Sequence, residues 1–496
     1  MASPMQTLIQ AGLKEQLLLP SQPEYHTLQA ASWSKSARLS PAAILRPRSA
    51  SEVSTALHAL ITAGRKFAIR SGGHTQYPGA NDIDGNGVTI DLGLLDWTRY
   101  DPTTETVEIG PGTRWKQVYA ALREHGRVVA GGRDGNVGVA GLLLGGGKTF
   151  FAAQRGFACD DVVSFEVVVA GGNANKDEGC SVVTASAEEH PDLFRALKGG
   201  SNNFGIVTNF TMRALVCESV WAGLNFFPKE RTEETAQALV NFTDCVDQYP
   251  DSHLLYFLSY TGKFHWSPPA FHDIVVVTAY VQLAGIVKAP AYQDFLALDP
   301  ILDTTKITTV ENVVSEYDIA PPNYHNNFFT STFKNDTRVV AKAASLHQSL
   351  VDELKAFIPD GDFITQCLLQ PLPTRYGQLS ALCTGGDNIM NVSAQPVNGL
   401  LFVAVAMVRT PEQEAFVYPR LRAWVEALKA FATDVDPDYG NLEWVYMNYA
   451  DKSQKVLESY GKENLKLMRA VAARYDPGQV FQTLCPGGFK LTQVRD

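Results

Sequence analysis

The sequence lacks the features that would tie it to nucleic acid, metal ions or a membrane. Its formal net charge is −10 and no long cluster of lysine and arginine occurs, whereas a phosphate backbone is bound by a basic face. The seven cysteines form no CxxC pair and no metal-ligand spacing. No apolar run approaches the roughly 20 residues that a membrane-spanning helix needs. We therefore expect no nucleic-acid partner, no metal and no membrane association.

The start of the chain and its cysteines bear on the cellular compartment. The first residues include Leu17, Leu18 and Leu19 but no basic start followed by a sustained apolar stretch, which a secretory signal would show. The odd, scattered cysteines do not indicate a disulfide framework. We expect an intracellular protein; a secreted protein is the alternative, if a signal peptide was removed before this numbering. Nothing in the sequence indicates the oligomeric state.

The length of 496 residues exceeds that of most single domains, so two or three structural units are expected. Residues 40–215 alternate short strands and helices, with helices predicted at 51–64, 115–125 and 191–197. From 216 to 440 the strand-like runs are longer, and they are predicted at 254–260, 273–283, 363–369 and 400–408. Helix-like stretches at 233–245 and 412–431 separate them, which predicts an antiparallel sheet backed by helices.

Three glycine-rich stretches carry the strongest chemical signal. In Arg70-Ser-Gly-Gly-His74, two glycines allow a tight turn and close approach to a ligand directly before a histidine. The second stretch runs from Gly131 to Gly147, and its closely spaced glycines leave backbone N–H groups free to bind an anion such as a pyrophosphate. The third, at 192–208, passes from a helix through a Gly-rich turn into a strand.

Two common nucleotide-binding motifs are excluded. Gly147-Lys-Thr149 ends like a P-loop, but that motif requires a glycine five positions before Gly147, and Leu142 stands there. No G-x-G-x-x-G run follows the first predicted strand with an acidic residue placed downstream, so the Rossmann motif is absent as well. Each glycine-rich stretch alone has an ordinary structural explanation; together they indicate a cofactor-binding site.

The motifs occur in a fixed order along the chain: His74 in its loop, Val137 to Gly147, the stretch from His190 to Thr208, and a tail that contains Asn448-Tyr449. This set resembles the vanillyl-alcohol-oxidase superfamily of FAD enzymes with a PCMH-type FAD-binding domain, and within it the berberine-bridge-enzyme-like branch. The resemblance implies an α+β fold. A two-part FAD-binding domain would comprise residues 1–215 and 441–496, and a substrate-binding domain of antiparallel sheet backed by helices would be inserted at 216–440.

The resemblance also implies roles for individual residues. His74 matches the histidine bonded to the flavin 8α-methyl group, so FAD is expected to be held by one covalent bond. Tyr449 matches the tyrosine that serves as catalytic base in many relatives. The remaining cofactor contacts would come from Arg70, Ser71, Gly72, Gly73, Thr75, Val137, Gly138, Gly141, Gly145, Val207 and Asn448.

Three positions refine this expectation. Many relatives have a second covalent link from a cysteine three residues before the valine that matches Val137; Asp134 stands here, which excludes bicovalent attachment. Ser201 replaces a glycine that is common in the third stretch, with little expected effect. Val137 matches a position beside the flavin where a small side chain tends to admit O2, which favours an oxidase.

The implied activity is that of an FAD-dependent oxidase. Hydride would pass from a hydroxyl- or amine-bearing small molecule to the covalently bound flavin, and O2 would be reduced to hydrogen peroxide. Free tyrosine has a pKa of about 10, so Tyr449 needs a positive charge or a hydrogen-bond donor nearby, and the sequence does not identify that partner. Two alternatives stay open: a dehydrogenase of the same fold with a non-oxygen acceptor, and a flavin-binding protein without turnover.

The middle part of the chain is expected to supply the substrate wall. Polar and aromatic candidates near its strands and loops are Tyr260, His265, Trp266, Tyr324, His325, Gln366 and Gln370. The substrate itself stays open among a sugar, a polyol, an alkaloid-like amine and a polyketide alcohol.

Overall fold

The computed structural model describes residues 3–171, 180–262, 273–317, 323–383 and 385–494. The first sheet has four strands in the order β1-β2-β4-β3; the pairs β2-β4 and β4-β3 are parallel, and β1-β2 is antiparallel. Its short strands are almost wholly buried, as parallel strands covered on both faces are. The strands are β1 (Leu17–Leu18), β2 (Ala43–Leu45), β3 (Phe67–Arg70) and β4 (Val88–Asp91).

The second sheet is antiparallel, in the order β5-β6-β10-β8-β9, and a two-stranded ribbon of β7 and β11 lies beside it. These strands are β5 (Thr98–Asp101), β6 (Thr106–Ile109), β7 (Arg127–Val128), β8 (Val162–Val169), β9 (Ser181–Ser186), β10 (Ile206–Arg213) and β11 (Leu215–Val216). The helices of this part are α1 (Pro4–Gln10), α2 (Pro23–Gln29), α3 (Ala50–Thr62), α4 (Trp115–Arg123), α5 (Val139–Leu144), α6 (Ala152–Arg155) and α7 (Pro191–Leu197).

Local sequence signals explain where these helices begin. The hydroxyl of Ser49 accepts a hydrogen bond from the backbone N–H of Glu52 and caps α3. The Glu52 carboxylate does not complete a capping box, because it accepts from the backbone N–H of Arg48 and from the Gln16 amide instead. Helix α7 begins at Pro191, whose missing N–H costs nothing at a first helical position.

The third sheet contains the remaining strands of the described ranges, which lie between residues 220 and 408. Its order is β15-β12-β14-β13-β18-β19-β17, with β16 paired to β12, and every pairing is antiparallel. The strands are β12 (Val220–Pro228), β13 (Ser252–Tyr260), β14 (Val275–Gln282), β15 (Leu302–Asp303), β16 (Lys306–Thr308), β17 (His325–Lys334), β18 (Ile364–Leu372) and β19 (Gly399–Val408). All ten residues of β19 are buried, which explains its continuous apolar sequence.

One face of this sheet is covered by three long helices, which are α8 (Thr232–Asp244), α11 (Thr337–Phe357) and α13 (Pro411–Val435). The shorter helices of this part are α9 (Gln293–Leu296), α10 (Val310–Glu316) and α12 (Thr374–Ala381). On the packed side, the buried His347 of α11 shares a hydrogen bond of 2.8 Å with the Thr365 hydroxyl of β18. The expected α+β class, with an antiparallel sheet backed by helices, is confirmed.

The C-terminal residues return to the N-terminal part of the chain. Helix α14 (Lys462–Tyr475) places the Tyr475 hydroxyl 2.9 Å from Asp192 of α7, and α15 (Val480–Thr483) packs Phe481 against Phe67 of β3. This return is what a two-part N- and C-terminal domain requires, while the exact boundaries at 215 and 441 stay predictions. Within the described ranges, no helix is long and apolar enough to cross a bilayer.

Candidate active site

A cavity of about 830 Å³ lies where the glycine-rich loops face the third sheet. The loop that follows β3 contributes Ser71 to Thr75, and the tail contributes Asn448 and Tyr449. The sheet contributes alternate residues of β12, β13, β14 and β18. The site residues predicted from the sequence that line this cavity are Ser71, Gly72, Gly73, His74, Thr75, Val137, Gly138, Gly141, Val207, Asn448 and Tyr449.

Two predicted cofactor contacts lie outside the cavity wall. Arg70 is 3% exposed in its side chain, and its Nε donates to the Asp91 carboxylate at 2.7 Å, so it supports the loop from behind. A Cβ on Gly145 would overlap the side-chain oxygen of Asn448, so this glycine lets Asn448 approach α5. The structure brings both residues to the site but gives each a neighbour within the protein.

The first two glycine-rich stretches touch each other at Gly72 and Gly138. A Cβ on Gly72 would lie 2.5 Å from the Cα of Gly138, and a Cβ on Gly138 would lie 2.6 Å from the Cα of Gly72. Gly73 has φ +65°, a conformation that glycine adopts without strain. This contact brings the His74 loop and the start of α5 to the same side of the cavity.

His74 stacks on Trp33 beside the cavity. The two ring centroids lie 4.3 Å apart with planes 11° from parallel, and the backbone N–H of Trp33 donates to the Gly73 carbonyl at 3.0 Å. Burial, and then the positive charge of Arg114, lower the pKa of His74 to about 3. The imidazole is therefore neutral near pH 7 and offers a lone pair, which a nucleophilic nitrogen requires.

Tyr449, which lines the same cavity, is held in a hydrogen-bond network. Nη2 of Arg133 donates to the Tyr449 hydroxyl oxygen at 2.9 Å, and the side-chain amide of Gln370 donates to the same oxygen at 3.3 Å. The Arg133 guanidinium also lies 2.7 Å from Gln370 Oε1 and 3.1 Å from His253 Nε2. The positive charge and the donors that a tyrosine base needs are therefore present.

The sequence around Arg133 explains its placement. Cβ atoms on Gly131 and Gly132 would overlap the Trp115 indole, so only glycines allow this loop to lie flat against the ring. The Tyr119 hydroxyl fixes the loop by donating to the Gly132 carbonyl at 2.9 Å. The chain then turns inward, and Arg133 is 9% exposed.

Burial lowers the pKa of two further basic groups beside Arg133. Burial, followed by the charges of Arg133 and Lys148, holds the pKa of His253 well below its usual value. Since Arg133 donates, His253 Nε2 accepts as a neutral ring. Burial, followed by Arg133, also holds the pKa of Lys148 well below its usual value. Its Nζ donates to the Pro371 carbonyl at 3.0 Å. Arg133 is the basic side chain that donates a hydrogen bond to Tyr449.

The cavity fits a dinucleotide cofactor by its size and its unsatisfied polar groups. Asn81 lines it, is 7% exposed, and has neither amide atom hydrogen-bonded, whereas buried amides normally have partners. The loop from Ser71 to Thr75 adds backbone groups along the same wall. Asp134 also lines the cavity and offers a carboxylate where a thioether link would need a thiol.

Trp33, Asn81, Arg133 and His253 were not predicted from the sequence. Arg133 had the clearest signal, because it is the cation inside the second glycine-rich stretch. Among the candidates for the substrate wall, Gln366 lines the cavity and Gln370 contacts Tyr449. Tyr324 instead donates to Asp362 at 2.8 Å, His325 pairs with Glu414 at 3.0 Å, and Tyr260 stacks on Phe363. His265 and Trp266 lie outside the described residues.

The fold and the cavity together define an FAD-dependent oxidoreductase, and comparisons with known proteins agree. A family model described as an FAD binding domain matches residues 41–176. The chain is 38% identical over 480 residues to FAD-dependent monooxygenase drtC of Aspergillus calidoustus, covering 95% of this chain and 87% of that protein. It is 32% identical over 490 residues to FAD-dependent monooxygenase sdcF of Emericella nidulans, covering 98% of each.

Solved structures show the same fold at lower identity. The 6-hydroxy-D-nicotine oxidase of Arthrobacter nicotinovorans superimposes with a TM-score of 0.74 at 21% identity, covering 94% of this chain and 96% of that one. A variant of berberine bridge enzyme gives 0.72 at 16% identity, covering 97% and 98%. The chain belongs to the family of these FAD-dependent monooxygenases. Its fold is that of the vanillyl-alcohol-oxidase and PCMH-type flavoproteins, including berberine-bridge-enzyme-like proteins, as the sequence predicted.

Proposed function

We propose that the protein is an FAD-dependent oxidase that converts a hydroxyl or amine group of a small molecule and releases hydrogen peroxide. The observation that carries the proposal is the position of Tyr449. Its hydroxyl lies in the same cavity as His74 and accepts a hydrogen bond from a buried guanidinium. When bound, FAD supplies the two-electron chemistry, accepting a hydride from the substrate and passing the electrons to O2.

Tyr449 takes the substrate proton. As its oxygen accepts the proton of an alcohol, the C–H electron pair leaves with the hydride and the C–O bond becomes a carbonyl. The Arg133 and Gln370 donors hold the phenolate that must exist before this transfer. His253 accepts a hydrogen bond from Nη1 of Arg133. The guanidinium is therefore held in one orientation, with Nη2 directed at Tyr449 before the reaction begins.

His74 holds the cofactor through a single covalent bond. Its neutral ring is ready to act as a nucleophile, and the stacked Trp33 fixes the plane of the imidazole. The wall residues Ser71 to Thr75, Val207 and Asn448, together with Asn81, would hold the remainder of the cofactor. A His74→Ala variant should lose the yellow colour that otherwise stays with acid-precipitated protein. Precipitated wild-type protein without colour would refute the covalent assignment.

The names of the relatives raise monooxygenation as a second candidate. An oxidase releases hydrogen peroxide in a one-to-one ratio with product and leaves no oxygen from O2 in the product. A monooxygenase places one atom of 18O2 in the product. Val137 lines the cavity as a small side chain, which supports access of O2. Turnover under 18O2 with peroxide quantified separates the two reactions, and reduced flavin that O2 reoxidises slowly would instead indicate a dehydrogenase.

A further inference from the structure

The sheet wall of the cavity is apolar over most of its area. Along β13, the residues that line the cavity alternate with those that face the helices, as the strand period of two requires. Neighbouring strands add side chains at matching positions. The residues that form the centre of this wall are Leu255, Phe257, Val275, Val277, Leu368 and Met407.

Two uncharged polar side chains interrupt this surface at the same level. Ser259 on β13 and Gln366 on β18 stand directly opposite each other in the antiparallel register, and both line the cavity. Ser259 is 3% exposed and its Oγ has no hydrogen-bond partner. The Gln366 amide makes no hydrogen bond to any residue in the described ranges. We call Ser259 and Gln366 the polar pair.

The distance between the polar pair and the residues around Tyr449 follows from the residue spacing along β18. Gln370, which donates to Tyr449, lies four residues beyond Gln366 on the same strand face. At about 3.3 Å per residue, the two side chains are separated by about 13 Å. Leu368 lies between them, and its partner across the strands is Phe257. The wall is therefore polar at both ends and apolar between them.

No charged side chain lies on the described strands of this wall. Arg133 stands at the reacting end, but its donors are already directed at Tyr449, Gln370 and His253. Glu316 lines the cavity and is paired with Lys306 at 2.7 Å. Asp134 and Lys148 also line the cavity, but neither is on the strands. Asp134 accepts from the backbone N–H of Asn136 at 2.8 Å, and Lys148 donates to the Pro371 carbonyl at 3.0 Å. Against the strands, a charged substrate would lose its hydration without gaining an opposite charge, which is costly. A sugar would leave hydroxyl groups against aliphatic side chains, at the same kind of cost.

From this arrangement we infer the class of substrate and a recognition site for it. The substrate is an uncharged, largely apolar molecule that spans about 13 Å. It carries the oxidisable group at the Tyr449 end and a hydroxyl or carbonyl group at the other end. The polar pair binds that remote group, because Gln366 can donate or accept and the Ser259 hydroxyl is otherwise unsatisfied. The inference rests on the proposed function for the choice of the reacting end.

Two biphenyl probes test the inference by binding rather than turnover. Biphenyl-4-methanol has the oxidisable group alone, and 4′-hydroxybiphenyl-4-methanol adds a remote hydroxyl. Their Kd values are measured by calorimetry on FAD-loaded Tyr449→Phe protein, which removes the base and so separates binding from reaction. The remote hydroxyl should tighten binding roughly three- to tenfold, the range of one to two net hydrogen bonds. Xylobiose should bind more weakly than either biphenyl.

Substitution of the polar pair completes a thermodynamic cycle. In the Gln366→Leu and Ser259→Ala proteins, the remote hydroxyl should no longer increase the binding affinity. Biphenyl-4-methanol should bind these proteins as tightly as before or more tightly. Gln348→Leu, on α11 outside the cavity, is the matched control, and in this protein the remote hydroxyl should still increase the affinity. The inference is overturned if the remote hydroxyl does not lower the Kd in the protein that retains Ser259 and Gln366, or if xylobiose has the lowest Kd of the three probes. If the cycle holds but the wild-type protein oxidises neither probe, the recognition site stands and the proposed oxidase function fails.

Discussion

Arg133 donates a hydrogen bond of 2.9 Å to the hydroxyl oxygen of Tyr449, although 316 residues separate them in the sequence. The Arg133 guanidinium is itself fixed by Gln370 and His253. A charge-assisted bond of this kind is stronger than one between neutral groups. It joins the second glycine-rich stretch to the C-terminal tail across the third sheet, and it supplies the partner that a tyrosine base requires.

Loss of the charge at Arg133 should move the pH dependence of catalysis. If tyrosinate is the base, the rate of flavin reduction increases with pH. Removing a cation that stabilises tyrosinate shifts this rise to higher pH, by roughly one unit or more for a lost charge-assisted bond. Anaerobic stopped-flow reduction of an Arg133→Met protein measures the shift. Arg133→Lys keeps the charge and should move the profile less; profiles that coincide in all three proteins would exclude this role.

Trp33 should determine how efficiently FAD becomes covalently attached. Its ring lies 4.3 Å from His74, and a Trp33→Leu substitution leaves the imidazole free to rotate. We expect the fraction of flavin that survives acid precipitation to fall severalfold, while FAD still binds. Trp33→Phe keeps an aromatic face and should retain most of the attachment. Trp97→Phe, which affects an indole bonded to Asn209, serves as the control, and equal attachment in all variants would refute the role of Trp33.

The neutral state of His74 gives a pH prediction with a definite sign. Burial lowers its pKa to about 3, below the ordinary value of about 6.5. The neutral ring therefore persists as pH falls through the ordinary value and is lost only near the lowered one. When apoprotein is mixed with FAD, the rate of acid-stable attachment should be flat from about pH 8 down to about pH 5. A fall centred near pH 6.5 would contradict the lowered pKa.

Gly138 and Gly141 should respond differently to alanine, although both line the cavity. A Cβ at Gly138 meets the Gly72 backbone, whereas a Cβ at Gly141 meets no protein atom within 4 Å. Gly138→Ala should lower the free energy of unfolding of the apoprotein by about 1–3 kcal/mol. Gly141→Ala lies in α5 and should not destabilise the apoprotein, since alanine favours helix, but it should weaken FAD binding. Chemical denaturation of each variant measures its stability, and titration with FAD measures its affinity for the cofactor.

Much of the fold could be predicted because its elements have local signals. The predicted helix at 191–197 coincides with α7, and the run at 400–408 lies within β19. Strand β17 and the 21-residue helix α11 were not predicted. Polar residues such as Asn326 and Thr332 obscure the strand pattern of β17, because they are buried by packing that no local window shows.

The candidate site was predictable only where residues stand in contiguous motifs. His74 and Tyr449 lie in such motifs, and both line the cavity. Arg133 and Gln370 come from distant segments, and only folding brings both to the Tyr449 hydroxyl oxygen and places His253 against Arg133. Trp33 precedes every motif, so its contact with His74 could be found only in three dimensions.

Reduction of the bound flavin in a Tyr449→Phe protein tests the central claim most directly. Biphenyl-4-methanol is mixed anaerobically with wild-type and variant proteins that carry equal amounts of acid-stable flavin, and the loss of flavin absorbance is followed. The proposed role of Tyr449 as base predicts a rate about 100-fold or more lower in the variant, with the flavin still attached to His74. A variant that is reduced at the wild-type rate would contradict the claim.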